Sequence, residues 1–167
     1  AGWEDVAVRR HGAFRDNCLL ILDGVMDPRN LGAMIRTAHA FGVNGVILPE
    51  NRAATVSPAV IKASAGAASC LPVARVVNLV RTIDALKARG FWIYGADVRG
   101  GQGLEDLRMD GDVALVMGSE GKGIRPLVRR QLDFVLSIDM VGGVDSLNVS
   151  VAAGIILHAM MTRRSRT

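Results

Sequence analysis

The chain is poor in aromatic residues and cysteine and has no long apolar run, and each shortage closes off a class of structure. Four Phe, two Trp and one Tyr among 167 residues leave a core of Val, Ile, Leu, Ala and Met, since half of the chain is hydrophobic. Cys18 and Cys70 stand alone, without metal-ligand spacing. Spacing leaves a disulfide between them open, but two buried thiols in a reducing compartment is the plainer reading. No stretch approaches the ~20 apolar residues of a membrane span. The start, Ala-Gly-Trp-Glu-Asp, puts charge where a secretory signal needs apolar residues. A cytoplasmic protein with neither membrane nor metal partner is expected.

What is present suits a single domain with a real core. Nineteen glycines signal many tight turns or close backbone approaches. The net charge is +4 and almost all the positive charge is arginine. That favours phosphate or carboxylate partners, although so small an excess is weak evidence for nucleic acid.

Residues 1–17, with Arg9, Arg10, His11 and Arg15, show no period and read as an extension or linker end, so the domain is expected over 18–167. Cys18 to Leu22 reads as a buried strand ending in the turn Asp23-Gly24. Asp27-Pro28 opens a helix carrying Leu31, Ile35, Ala38 and Phe41, with Gly42 as its stop. Val46 to Leu48 is a strand, and Ser57-Pro58 opens a helix that runs into the small residues 63–69. Pro72 to Val77 is a strand, Leu79 to Ala88 a helix, Phe91 to Tyr94 a strand, and a Gly-rich loop precedes the strand Val113 to Met117. The alternation predicts an α/β fold with a mainly parallel sheet and helices on both faces.

Three strand ends carry unusual residues, and ligands bind beyond the carboxyl ends of parallel strands. The first is Asp23 to Thr37, where Gly32, Ala33 and Ala40 flank Arg36 and leave its guanidinium free to reach a phosphate or hydroxyl. The second, Met117-Gly118-Ser119-Glu120-Gly121-Lys122-Gly123-Ile124, resembles a phosphate loop but has Gly123 where Ser or Thr is required, which disfavours a triphosphatase. The third, Ser137 to Gly154, reads as a short strand, a Gly-Gly loop and then a helix whose first turns carry Ser146, Asn148 and Ser150. One such residue suffices as a cap; three in alternation suggest a site built on a buried helix. No G-x-G-x-x-G follows a strand and opens a helix, so dinucleotide binding of the usual kind is disfavoured. His11, His39 and His158 are scattered, and Arg163-Arg164-Ser165-Arg166 reads as a solvated basic tail able to touch RNA phosphates.

These three segments, in this order, resemble the signature motifs of the SpoU/TrmH family of RNA ribose 2′-O-methyltransferases in the SPOUT superfamily. The resemblance runs from Cys18 to about Arg163 and, among family branches, is nearest to bacterial 23S rRNA guanosine 2′-O-methyltransferases. It implies S-adenosylmethionine as methyl donor, RNA as substrate, a homodimer, and a trefoil knot formed by the C-terminal third. Transfer RNA as the target, or a non-catalytic RNA-binding role, remains an alternative. The family's donor-binding positions map onto Gly118, Ile138 and Leu147, with the strand end Gly95-Ala96-Asp97 lining the same pocket. Its catalytic positions map onto Asn30, Arg36, Glu120, Ser146 and Asn148. A guanidinium is a poor base, so Arg36 is expected to grip the neighbouring phosphate and stabilise alkoxide charge. Relatives of the ribosomal branch carry an N-terminal RNA-binding domain, whereas about 17 residues precede the first strand here; a catalytic fragment and a minimal family member are both compatible with that.

Overall fold

In the computed structural model, which describes residues 2–7, 14–98 and 100–165, all five residues of the first apolar run, Cys18 to Leu22, are buried, and so is Asp23 after them. The elements in chain order are α1 (Trp3–Ala7), β1 (Cys18–Asp23), α2 (Pro28–Ala40), β2 (Gly45–Pro49), α3 (Pro58–Ala63), β3 (Val73–Val76), α4 (Leu79–Ala88), β4 (Trp92–Ala96), β5 (Gln102–Gly103), β6 (Val113–Gly118), α5 (Pro126–Arg129), β7 (Phe134–Ser137) and α6 (Val149–Arg163). The strands form one parallel sheet in the order β3-β2-β1-β6-β4-β7-β5. β1 and β6 are central and covered on both sides, which is why each reads as unbroken apolar sequence rather than an alternation.

Helices cover both faces. Leu20 and Leu22 of β1 pack with Leu31, Met34 and Ile35 of α2 and with Ala153, Ile156 and Leu157 of α6. On the other face Leu19 and Ile21 pack with Leu79, Ile83 and Leu86 of α4 and with Val6 of α1. Local signals start the helices as expected. Asp27 caps α2 by accepting from the Arg29 backbone N–H, with Pro28 in the first turn, and Ser57 caps α3 by accepting from that of Val60.

Several expectations are corrected. Part of the segment read as an extension is the helix α1, whose Val6 is buried against Gly45; a Cβ there would lie 2.0 Å from Val6 Cγ1. α3 stops at Ala63, and the chain turns through Gly66 (φ +84°) into a 3₁₀ turn, Ala67–Ser69. The strand placed at Ser137 ends there instead of beginning there. The helix after it starts at Val149, leaving Ser146 in the preceding loop. Cys70 is exposed and only Cys18 is buried. Arg164 is held rather than solvated: its guanidinium donates to the carbonyls of Gly42 and Asp16 and lies 4.2 Å from the centroid of the Phe14 ring. Arg9, Arg10, His11 and Arg166 lie outside the described residues. No helix among the described residues is long and apolar enough to cross a membrane.

α2 and α3 approach through Gly32, where a Cβ would lie 2.4 Å from Ala63 Cβ and 3.0 Å from Ser64 N. Gly32→Val therefore forces backbone apart and is expected to destabilise the fold by ~1–3 kcal/mol, read from urea denaturation; unchanged stability would show that this contact yields freely.

Candidate active site

The carboxyl ends of β1, β6, β4 and β7 lie side by side, and the loops leaving them form two adjoining spaces. β6 ends at Gly118, and the chain doubles back at once: the Ser119 N–H donates to the Gly123 carbonyl (3.2 Å) and the Gly123 N–H to the Ser119 carbonyl (2.9 Å). Glu120, Gly121 and Lys122 form the exposed tip, with Gly121 and Gly123 in the left-handed region. The returning backbone fills the side-chain position of Gly118; a Cβ there would be 2.1 Å from the Gly123 carbonyl carbon. The far end of the loop is held by Asp23, which is 1% exposed at the end of β1. It accepts from the backbone N–H of Arg125 at 2.9 Å and from Arg125 Nε at 2.7 Å.

The first space is a cleft of about 810 Å³ under this loop. Gly118, Ile138, Leu147 and Ala96, read from sequence as donor-binding, line it, as do Glu120 and Ser146, read as catalytic, together with Leu136, Val149 and Ile156. Asp97 and Asp145 also face it, and Asp97 pairs with Arg129. Gly95 is the exception: it is buried, does not line the cleft, and a Cβ there would lie 2.3 Å from Leu132 Cδ1, so it serves packing.

The second space, about 760 Å³, lies between the 23–27 loop, Arg52 and the same loop tip. Asn30 and Glu120 line it, and Glu120 is the one carboxylate among the described residues shared by both spaces. Asn148 joins the two motifs: its Oδ1 caps α6 by accepting from the N–H groups of Ser150 and Val151, while its Nδ2 donates to Asn30 Oδ1 at 3.2 Å. Asn148 itself lines neither space and reaches the second only through Asn30.

Arg36 is not brought to either space. It is exposed on α2 and makes no hydrogen bond or ion pair with a described residue. Gly32, read as leaving room for it, instead packs on α3. Asp23 and Arg125 are the residues sequence reasoning passed over. The available signal was a carboxylate closing an otherwise wholly apolar strand, where an exposed turn Asp and a buried anchor look alike. Among the described residues two groups depart from their usual titration, and neither lines the cleft. Burial pushes the Cys18 thiol up, against an opposing effect of Arg164. Burial, followed by Asp110 and Asp133, pushes the Tyr94 phenol up.

The profile of the SpoU rRNA methylase family matches residues 17–158. The 23S rRNA (guanosine-2′-O-)-methyltransferase RlmB of Coxiella burnetii is 50% identical over 146 residues, 87% of this chain and 58% of that protein. The chain thus spans little more than half the length of that relative. Among solved structures, the SpoU methyltransferase AviRb of Streptomyces viridochromogenes in complex with the cofactor AdoMet (S-adenosylmethionine) superposes with a TM-score of 0.84 at 29% identity, over 95% of this chain and 60% of that one. The A. aeolicus TrmH/SpoU tRNA modifying enzyme superposes with a TM-score of 0.81 at 26% identity, over 95% and 79%.

Asp23→Asn keeps shape but turns an amide N–H toward the Arg125 donors. We expect a loss of ~1–3 kcal/mol in thermal or urea unfolding and faster amide exchange at Ser119 and Gly123. Exchange at wild-type rates would mean the loop does not depend on this anchor.

Proposed function

The chain belongs to the SpoU rRNA methylase family, and from that footing we propose that it methylates the 2′-hydroxyl of a ribose, in a guanosine of 23S rRNA, with S-adenosylmethionine as donor. The observation that carries this reading is the convergence of Gly118, Ile138 and Leu147 on one cleft that shares Glu120 with the hollow containing Asn30. The donor fits the residues present. The cleft volume, about 810 Å³, lies in the ~300–1,000 Å³ range of small-molecule sites. Leu136, Ile138, Leu147 and Val149 give an apolar surface for an adenine, and since Asp97 is paired with Arg129, the carboxylates of Glu120 and Asp145 are the ones that face a ligand carrying positive charge. When bound, the donor supplies an electrophilic methyl group on a sulfonium.

The chain's own residues align and deprotonate the acceptor. Alignment is the larger part of an in-line displacement. Asn30, Ser146 and Asn148 orient the ribose, and the Asn148–Asn30 bond makes two of them one rigid polar unit. Glu120, between the two spaces, receives the hydroxyl proton or positions the ribose for its loss. Arg36 grips a neighbouring phosphate and stabilises the alkoxide charge, since a guanidinium keeps its proton at neutral pH.

Because Arg36 lines neither space of its own chain, the same reading places it in the site of a second subunit. α2 packs against α6, and α6 exposes Val151 (51%) and Ile155 (39%), an apolar face suited to pairing in a homodimer. The trefoil knot belongs here too: β5 lies outside β7, so the connection from β4 spans the strand that arrives later, with the Asp97 N–H donating to the Leu136 carbonyl. Transfer RNA is the second reading, supported by the likeness to the A. aeolicus tRNA modifying enzyme.

Labelled donor incubated with separate 23S rRNA and tRNA pools, followed by mapping of the modified nucleotide, tests the reaction and its target; no labelled ribose in either pool would end the reading. Arg36→Ala is expected to lower the rate ~10²–10⁴-fold while donor affinity by calorimetry survives. Leu147→Arg is expected to abolish donor binding by placing a charge in an apolar pocket. Sedimentation should give a dimer, and a fully active monomer would remove Arg36 from the partner's site.

A further inference from the structure

The second hollow contains two basic side chains that the mechanism above leaves unused. Arg52 and Lys122 both line it, and neither makes a hydrogen bond or ion pair with a described residue. The other charges there are engaged or assigned. Asp23 holds Arg125, Asp27 accepts from the Arg29 N–H as the cap of α2, and Glu120 faces the reacting hydroxyl in the proposed reaction.

Arg52 is also presented from a fastened loop. The Glu50 N–H donates to the Val76 carbonyl (2.8 Å), and the Glu50 carbonyl accepts from the Arg75 guanidinium (2.7 Å). Two residues beyond Arg52, the Ala54 N–H donates to the Val25 carbonyl (3.2 Å), tying this loop to the 23–27 loop on the hollow's wall. Between these fastenings Arg52 itself has φ +60°, one of two non-glycine residues in the left-handed region among those described. L-residues adopt that backbone at a cost, and glycine would adopt it freely. An unpaired arginine kept in this backbone beside a polar hollow points to a use for its side chain.

We propose that Arg52 is a substrate-binding residue that takes an RNA phosphate adjoining the ribose held at Asn30, from the same subunit as Asn30, with Lys122 as a second, weaker contact. The proposal rests on the RNA-methyltransferase reading. A ribose within an RNA chain has a phosphate on each side, and Arg36 meets one of them. A planar guanidinium suits the other, because its fork matches two phosphate oxygens where an ammonium offers a point charge.

The test uses Arg52→Gly, which suits the backbone and deletes the side chain, with Arg52→Lys as companion. Wild type and variants are titrated with an unmodified 23S rRNA transcript and a tRNA transcript over a series of salt concentrations, and whichever RNA the wild type binds is the one read. Arg52→Gly is expected to melt no lower than wild type and to keep its donor affinity. Its RNA affinity should fall about tenfold or more, and the slope of log K against log salt should shrink by ~0.7–0.9, the signature of one lost phosphate contact. Arg52→Lys should recover only part of the loss. An Arg52→Gly chain with wild-type RNA affinity and salt slope overturns the proposal while leaving the methyltransferase reading intact. A wild-type chain that binds neither transcript overturns both.

Discussion

The backbone of Gly123 and Ile124 occupies the space that any side chain on residue 118 would need, with the Ile124 nitrogen 2.3 Å from the Cβ position. Strand β6 is the centre of the sheet, so this contact decides where the 119–125 loop lies relative to every other strand end. Folded back in this way, the loop roofs the cleft with its own backbone and places Glu120 between two spaces. Asp23 then fixes the other end. A carboxylate this deeply buried is costly unless it is paired and hydrogen-bonded, and Arg125 supplies both a backbone N–H and a guanidinium N–H. The missing side chain lets the loop close and the buried charge keeps it closed.

Much of the frame was legible because its signals are local. The run ending at Asp23, the Asp27-Pro28 start and the whole of Leu79–Ala88 follow from composition and capping within a few residues. What escaped is set by residues far away in sequence. Asp23 and Arg125 are 102 positions apart, so nothing near Asp23 distinguishes a buried anchor from a surface turn. Gly95 and Gly118 look alike in sequence, each at the end of a strand, yet Leu132 fills the space above one and the loop backbone the space above the other. The start of α6 was misplaced because Ser146, Asn148 and Ser150 are all competent caps, and only the fold selects Asn148. Likewise Val6 docks against Gly45 through a contact that no periodicity in a five-residue helix could announce.

α6 poses a different constraint. It is apolar around most of its circumference, and such a helix is normally buried on every side. One side does pack, through Ala153, Ile156, Leu157 and Met160, while Val151 and Ile155 stay exposed in the single chain. The covered side aligns α6 with α2 at Thr37, 3.6 Å from the Cβ position of Gly154, and so sets the distance between Asn148 and Asn30 at the helix starts. Packing in the middle of two helices thereby determines polar geometry at their ends. A partner on the open side would press on the same pair.

The Asn148–Asn30 bond also decides which atoms the site offers. Asn148 Oδ1 accepts from the N–H of Ser150, the N–H of Val151 and the Ser150 hydroxyl, so that oxygen is saturated and the amide cannot turn over. Its nitrogen must then point to Asn30, which accepts through Oδ1 and keeps its own NH₂ group uncommitted. An amide nitrogen carries two N–H donors, and one of Asn148's is used. The pair therefore presents the Asn30 NH₂ group and the second Asn148 N–H as donors, beside the one lone pair still open on Asn30 Oδ1. Donors fixed in advance stabilise an oxygen that gains negative charge and do little for one that stays neutral. The cap that starts α6 thus fixes a polar unit whose Asn30 end shares a hollow with Glu120, and in the proposed reaction those donors would meet the oxygen whose charge grows as a ribose hydroxyl loses its proton.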